Sequence, residues 1–299
     1  MEAGLDVRRA AAMRLAANCP ASEYADAKLD RARRPQISLC ADDFAHSRGT
    51  SEVIVNLAHG RRINAISCMA VRPGWRSDAR LLPGLERHCE IGLQLVLTGE
   101  RPLTAMPGYA PAGTMPPLSV LLSRSMSAQL TGEIAVEVAR QFDAFSQVVG
   151  RPPDFVTSLE HVHQLPVLRE VILEEAIWRA PKAWLRACGD RPLALLRRGF
   201  RGKAMRSAWY SYGYADVARS FGLETNHSFA GHYDYSESFA EAFPRFFNGA
   251  SDHHVIMLHP GAADRADDPI AEARVREAAF LERYRPPDIA ASGPVAVVA

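Results

Sequence analysis

The chain has no apolar stretch that approaches the length of a membrane span, so a transmembrane helix is not expected. Cysteine is sparse and unpatterned. The five residues (Cys19, Cys40, Cys68, Cys89 and Cys188) are an odd number and contain no CxxC pair. This usage points to reduced thiols in a cytoplasmic protein. Net charge is also nearly absent, with 35 Lys and Arg against 34 Asp and Glu. The balance argues against a nucleic-acid partner or an electrostatically held membrane surface. At the N-terminus there is neither an uninterrupted apolar segment nor a cleavage site, so no secretory signal is expected. Residues 1–35 are instead rich in Ala and Arg and read as an N-terminal extension, a mildly basic helix leaning on the domain.

What remains is ample material for a core: 299 residues, 47% hydrophobic. From residue 36 onward strand and helix signals alternate. Apolar runs at 37–41, 63–69, 89–97, 154–159, 183–187, 222–229 and 254–259 read as strands. Helical periodicity falls at 52–60, 76–86, 118–149, 165–179, 193–221, 239–247 and 270–284, and 294–299 could close the fold as a last strand. Repeated strand–helix units imply parallel strands joined by right-handed crossovers. Seven or eight units predict an α/β fold, a distorted TIM-like (β/α) barrel spanning residues 36–299. A Pro- and Gly-rich loop at 99–117 is long enough to cover a site.

In such a barrel, chemistry sits at the C-terminal ends of strands. Three candidate clusters fall there. The first is Asp42-Asp43, where an apolar run meets two adjacent carboxylates. Charges leaving a core must be solvated, paired or bound to a cation. The pair therefore reads as a catalytic couple: one carboxylate holds an electrophile or metal and the other takes a proton from water. The second is His161-Val162-His163, where i, i+2 spacing in an extended segment puts both imidazoles on one face. If the chain has already turned, Glu160 joins the site. The third is His259-Pro260-Gly261, with His259 placed as a general acid. His253 and His254 begin the same strand at its other end and read as surface residues. The segment 230–235 (AGHYDY) offers Tyr233 and Asp234 as a sugar-stacking and hydrogen-bonding pair.

Taken as a set, residues 39–44 (LCADDF), 91–98 (IGLQLVLT), 153–166 (PDFVTSLEHVHQLP) and 256–261 (IMLHPG) resemble the YdjC-like carbohydrate deacetylase family. The similarity is strongest to its hopanoid-biosynthesis-associated branch and runs from about residue 36 to about 285. The resemblance implies a distorted barrel, a divalent metal such as zinc or magnesium, and hydrolysis of an N-acetyl amino sugar or a glycolipid-like amide. It also implies a possible homodimer. Carried over by position, Asp42 is the general base, Asp43 a metal ligand and His259 the group that helps the amine depart. His161 and His163 are the remaining candidate ligands.

The sequence departs from the family at the ligands. Gln94 stands where the family has a histidine, Leu159 where it has another, and Thr157 where it has an acid. Leucine has no donor atom, and an amide oxygen is a poor ligand for zinc-like ions. Gln94 is then a substrate-binding candidate. Two readings follow: a deacetylase-like hydrolase with an altered metal site, or an inactive relative that binds a sugar, a lipid-linked ligand or a protein.

Overall fold

The computed structural model describes residues 37–190 and 207–286. The N-terminal extension, the basic part of the 193–221 segment and the 294–299 strand lie outside these residues. Eight strands form one parallel sheet: β1 Ile37–Phe44, β2 Ala65–Cys68, β3 Glu90–Leu95, β4 Phe155–Ser158, β5 Trp184–Leu185, β6 Glu224–Thr225, β7 Ser228–Ala230 and β8 His254–Leu258. Their order is β6-β5-β4-β3-β2-β1-β8-β7. The two edge strands are thus consecutive in the chain, and the sheet curls into the expected distorted barrel.

One expected strand becomes two. Residues 222–229 do not run straight but break at Asn226, between β6 and β7. The Asn226 side chain accepts from the Ala187 N–H (2.7 Å) and donates to the carbonyls of Ala187 (2.8 Å) and Ser228 (2.9 Å). An amide side chain thereby copies a strand's pairing and staples β5 to β7 where the ladder is interrupted. Unpaired backbone groups buried at this seam would be costly.

Helices pack outside: α1 Arg48–His59, α2 Trp75–Asp78, α3 Leu118–Ser123, α4 Ala128–Val149, α5 Arg169–Arg179, α6 Tyr214–Ser220, α7 Phe239–Ala242 and α8 Ala271–Arg283. Local chemistry sets their ends. Ser47 and Ser127 cap α1 and α4 through side chains that accept from Thr50 and Leu130 N–H, and Gly150 stops α4 in a left-handed conformation. The helix expected at 76–86 shrinks to α2 and two 3-10 turns, because Pro83 and Gly84 (φ +93°) cannot continue it. The long helix expected at 118–149 divides at extended Arg124.

Alternation along the strands builds two apolar layers. Leu39, Ala41, Leu93 and Leu95 face the helices, in a core shared with Ile54, Phe142, Phe145 and Ile172. Cys40, Ala65, Phe155, Trp184, Phe229, Val255 and Met257 form a second, smaller cluster on the interior face. Gly92 is required there, since a Cβ would lie 2.5 Å from the Phe155 ring. Cys40 and Cys68 are core residues, as their apolar settings predict. His254 corrects its expected surface position: it is fully buried, with Nδ1 against Ser228 Oγ (2.6 Å) and Nε2 against the Phe246 carbonyl (3.0 Å). The 99–117 loop is pinned down along its length. Glu137 accepts from Leu103 and Thr104, and Glu133 accepts from Gly108 and Tyr109, so α4 holds it in place.

Candidate functional site

A cavity of about 420 Å³ opens at the C-terminal ends of the strands. Its polar wall includes Asp42, Asp43, His46, Gln94, Glu160, His161, His232, Tyr235, His259, Asp268 and Arg274, and Met69, Leu159, Met257 and Ile270 supply apolar surface.

Adjacent residues of a regular strand face opposite ways, yet both aspartates reach this wall. The cause is a bulge. Three steps of β1, from Ala41 to Phe44, oppose two of β2, from Ile66 to Cys68. Asp43 takes up the extra length with φ +67°. Such strain in a non-glycine residue costs energy and concentrates at functional sites.

Each aspartate is held by an arginine. Arg186, following β5, donates Nη1–H to Asp42 Oδ2 (2.5 Å) and Nη2–H to Oδ1 (2.8 Å). Its guanidinium lies 6.0 Å from the ring centres of both Phe155 and Phe229. Asp43 Oδ2 accepts from Arg274 Nη2 (2.7 Å), and Oδ1 accepts from Gln94 Nε2 (2.7 Å). Gln94 in turn accepts through Oε1 from the Asp43 N–H and from Ser67 Oγ, both at 2.8 Å. Arg274 also donates Nε–H to Asp268 Oδ2 (2.6 Å). Burial works to raise the Asp43 pKa, but Arg274, His259 and Gln94 outweigh it and hold the carboxyl well below the usual carboxylate range.

His259 lines the same cavity. Its backbone N–H donates to Glu277 Oε2 (2.5 Å), Glu277 Oε1 accepts from Tyr233 OH (2.7 Å), and Tyr235 OH lies 3.3 Å from His259 Nδ1. Burial raises the Glu277 pKa against these donors.

The histidine pair does not share a face. Residues 159–164 form a 3-10 segment in which Glu160 (φ +54°) and His161 (φ +59°) are left-handed, so the chain has turned. His161 and Glu160 line the cavity. His163 is instead buried, with Nδ1 at 2.7 Å from Ser158 Oγ and Nε2 at 2.6 Å from the Arg186 carbonyl. Both its nitrogens are engaged, and it is not available as a metal ligand beside His161 and Asp43. Tyr233 is also buried away from the cavity, among Phe239 and Phe246. Asp234 caps the following turn by accepting from Ser236 N–H (3.0 Å). The neighbouring Tyr235 and His232 take the cavity positions instead. Arg186, Arg274, Asp268, Glu277 and His46 were not anticipated.

The family model for YdjC-like proteins matches residues 36–288. The chain belongs to the YdjC-like protein family. Among its relatives is a chitooligosaccharide deacetylase of Yersinia pestis (strain Pestoides F), 34% identical over 137 residues, or 44% of this chain and 52% of that protein. A second, from Yersinia pestis bv. Antiqua (strain Angola), is 33% identical over 134 residues, with the same shares covered. The chain spans about half the length of the curated relatives it matches. In fold it is similar to an Enterococcus faecalis V583 protein described as a "putative cellobiose-phosphate cleavage protein". The TM-score is 0.64 at 20% identity, covering 83% of this chain and 90% of that one.

The YdjC-like resemblance implies a divalent ion, and the donors at this cavity do not fit one. Both Asp43 oxygens and the Gln94 oxygen already accept hydrogen bonds. Leu159 offers no donor atom, and His163 is turned into the core. Among the described residues no group of three His, Cys, Asp or Glu side chains is arranged to hold an ion. In the same set, no helix is long and apolar enough to cross a membrane.

Proposed function

We propose that this YdjC-like protein binds an N-acylated amino sugar in the family's cavity without a divalent ion. Metal-assisted deacetylation is not among its activities in this reading. The deacetylase relatives support the ligand class, and the cavity's size and mixed polar and apolar wall suit a sugar ring or two. The observation that carries the reading is the commitment of both Asp43 oxygens, one to Arg274 and one to Gln94.

Magnitudes favour the arginine over a metal. A cation entering beside Asp43 would have to displace a buried guanidinium, and breaking such a pair costs about 3–5 kcal/mol. In return it would gain one carboxylate and one neutral amide oxygen, too few donors for tight binding of zinc or magnesium. Asp42 is equally constrained. Both of its oxygens are taken by Arg186. His259 and Tyr235 remain as hydrogen-bonding groups for the ligand.

The test pairs binding with turnover. Calorimetric titration with N,N'-diacetylchitobiose should give saturable binding, and acetate release should stay at background with or without added zinc. Acetate release that a chelator abolishes and zinc restores would overturn the reading.

A further inference from the structure

The buried polar atoms at this cavity with no hydrogen-bond partner among the described residues include Arg274 Nη1, His161 Nδ1 and Ser207 Oγ. Arg274 and Ser207 are almost fully buried, at 3% and 5% exposure. An orphaned buried donor is costly, and a group that supplies its missing partner recovers that cost on binding. Arg274 is the most informative of the three, because its other two nitrogens already have acceptors. Nη2 goes to Asp43 and Nε to Asp268. Nη1 is the one nitrogen left without an acceptor.

Charge decides the nature of that acceptor. One guanidinium already serves two carboxylates, so this corner carries net negative charge. Arg186 is matched to Asp42 and Arg265 to Asp267. A phosphate or carboxylate on the ligand would crowd a third anion against Asp43 and Asp268, where like charges repel strongly in a buried setting. A neutral carbonyl oxygen satisfies Nη1 without that repulsion. Apolar Leu159, Met257 and Ile270 line the same cavity and suit a methyl group attached to the carbonyl.

We propose that Arg274 is the specificity-determining residue of the cavity: its Nη1–H donates to the acyl carbonyl oxygen of a neutral N-acyl sugar, selecting such sugars over non-acylated and anionic ones. Ser207 and His161 serve hydroxyl groups of the same ligand. This rests on the sugar-binding reading above and adds the residue that recognises the acyl group. Arg274 keeps its ion pairs throughout, so no proton moves and no bond is broken.

The test is a calorimetric panel on the full chain. N,N'-diacetylchitobiose is compared with cellobiose, which is neutral and has hydroxyls in place of the acetamido groups. N-acetylglucosamine is compared with its 6-phosphate. The wild type should bind diacetylchitobiose at least tenfold more tightly than cellobiose, and the phosphate ester more weakly than its parent. In Arg274→Lys, which keeps the charge but not the forked donors, the acyl preference should fall below threefold while cellobiose affinity stays within twofold. A preference that survives in Arg274→Lys, or tighter binding of the phosphate ester, overturns the assignment alone. If the wild type binds none of these sugars, the ligand reading and this assignment both fall. Circular dichroism checks that the variant folds. Should it not, the wild type decides through di-N-trifluoroacetylchitobiose, whose carbonyl is a weaker acceptor. Several-fold weaker binding supports the assignment, and equal or tighter binding overturns it.

Discussion

Arg186 clasps Asp42 with two hydrogen bonds, at 2.5 and 2.8 Å, while its guanidinium sits between the rings of Phe155 and Phe229. Both partners are nearly inaccessible to water. Removing one charge leaves the other stranded, so Arg186→Met should destabilise the fold by about 3–5 kcal/mol. Replacing both, as Asp42→Leu with Arg186→Met, should recover part of that loss. Urea unfolding of Arg186→Met, Asp42→Leu and the double variant measures the coupling. An Arg186→Met variant as stable as wild type would mean the pair is not what fills the barrel's interior.

Asp43 makes acid stability a second test. Its folded pKa lies below its unfolded value near 3.8, so the unfolded state takes up protons first as pH falls. The stabilisation is therefore complete above about pH 4 and is lost progressively below it. In Asp43→Asn this part of the acid slope should disappear, with a loss of about 1–3 kcal/mol at neutral pH from imperfect pairing with Arg274. Unfolding free energies measured from pH 5 down to pH 2.5 give the comparison. An unchanged slope contradicts the ion pair.

His163 acts in a higher window. Burial pushes its imidazole down to about 4, with the Arg186 carbonyl opposing and the Arg186 charge reinforcing the shift. The folded form holds the neutral ring, so stability is full above about pH 6.5 and falls as pH drops toward 4. At about 1.4 kcal/mol per unit, this single group accounts for a loss of roughly 3 kcal/mol. His163→Gln should remove that share of the acid slope across pH 4–6.5, with the rest left to His161 and His46, which burial also pushes down. A curve that keeps its wild-type shape would show that another group controls this window.

Asn226 tests how the barrel is closed. Its three hydrogen bonds join β5 to β7 at the interruption after β6. Asn226→Ala strands the Ala187 backbone groups and should cost about 2–4 kcal/mol. Hydrogen exchange should rise first at Ala187 and its neighbours. Uniform exchange with unchanged stability would refute the staple.

Much of this architecture was legible from periodicity. Alternating apolar runs and helical faces place seven of the eight strands and the layered α/β fold, because burying one face is what those patterns do. The missed break at Asn226 depends on one side chain imitating a strand, which no period reveals. The aspartate pair was legible as a site, but its partners were not. Arg186 and Arg274 approach from 144 and 231 residues away, and contacts at that separation leave no local trace. One signal was available in α8. Arg274, Glu277, Ala278 and Leu281 repeat at i, i+3, i+4 and i+7, so two charges occupy the buried stripe. Charges on that face imply buried partners. The His161/His163 reading failed because two left-handed residues reversed the expected facing.

In the proposed function, guanidinium and amide groups occupy the place of a cation beside Asp43. Elemental analysis of the purified protein, coupled to thermal unfolding with and without a chelator, tests it directly. The wild type should carry well under 0.1 divalent ion per chain with an unmoved midpoint, and Gln94→His combined with Leu159→His should acquire zinc. One tightly held ion per wild-type chain, with a midpoint that drops when it is removed, would contradict the account.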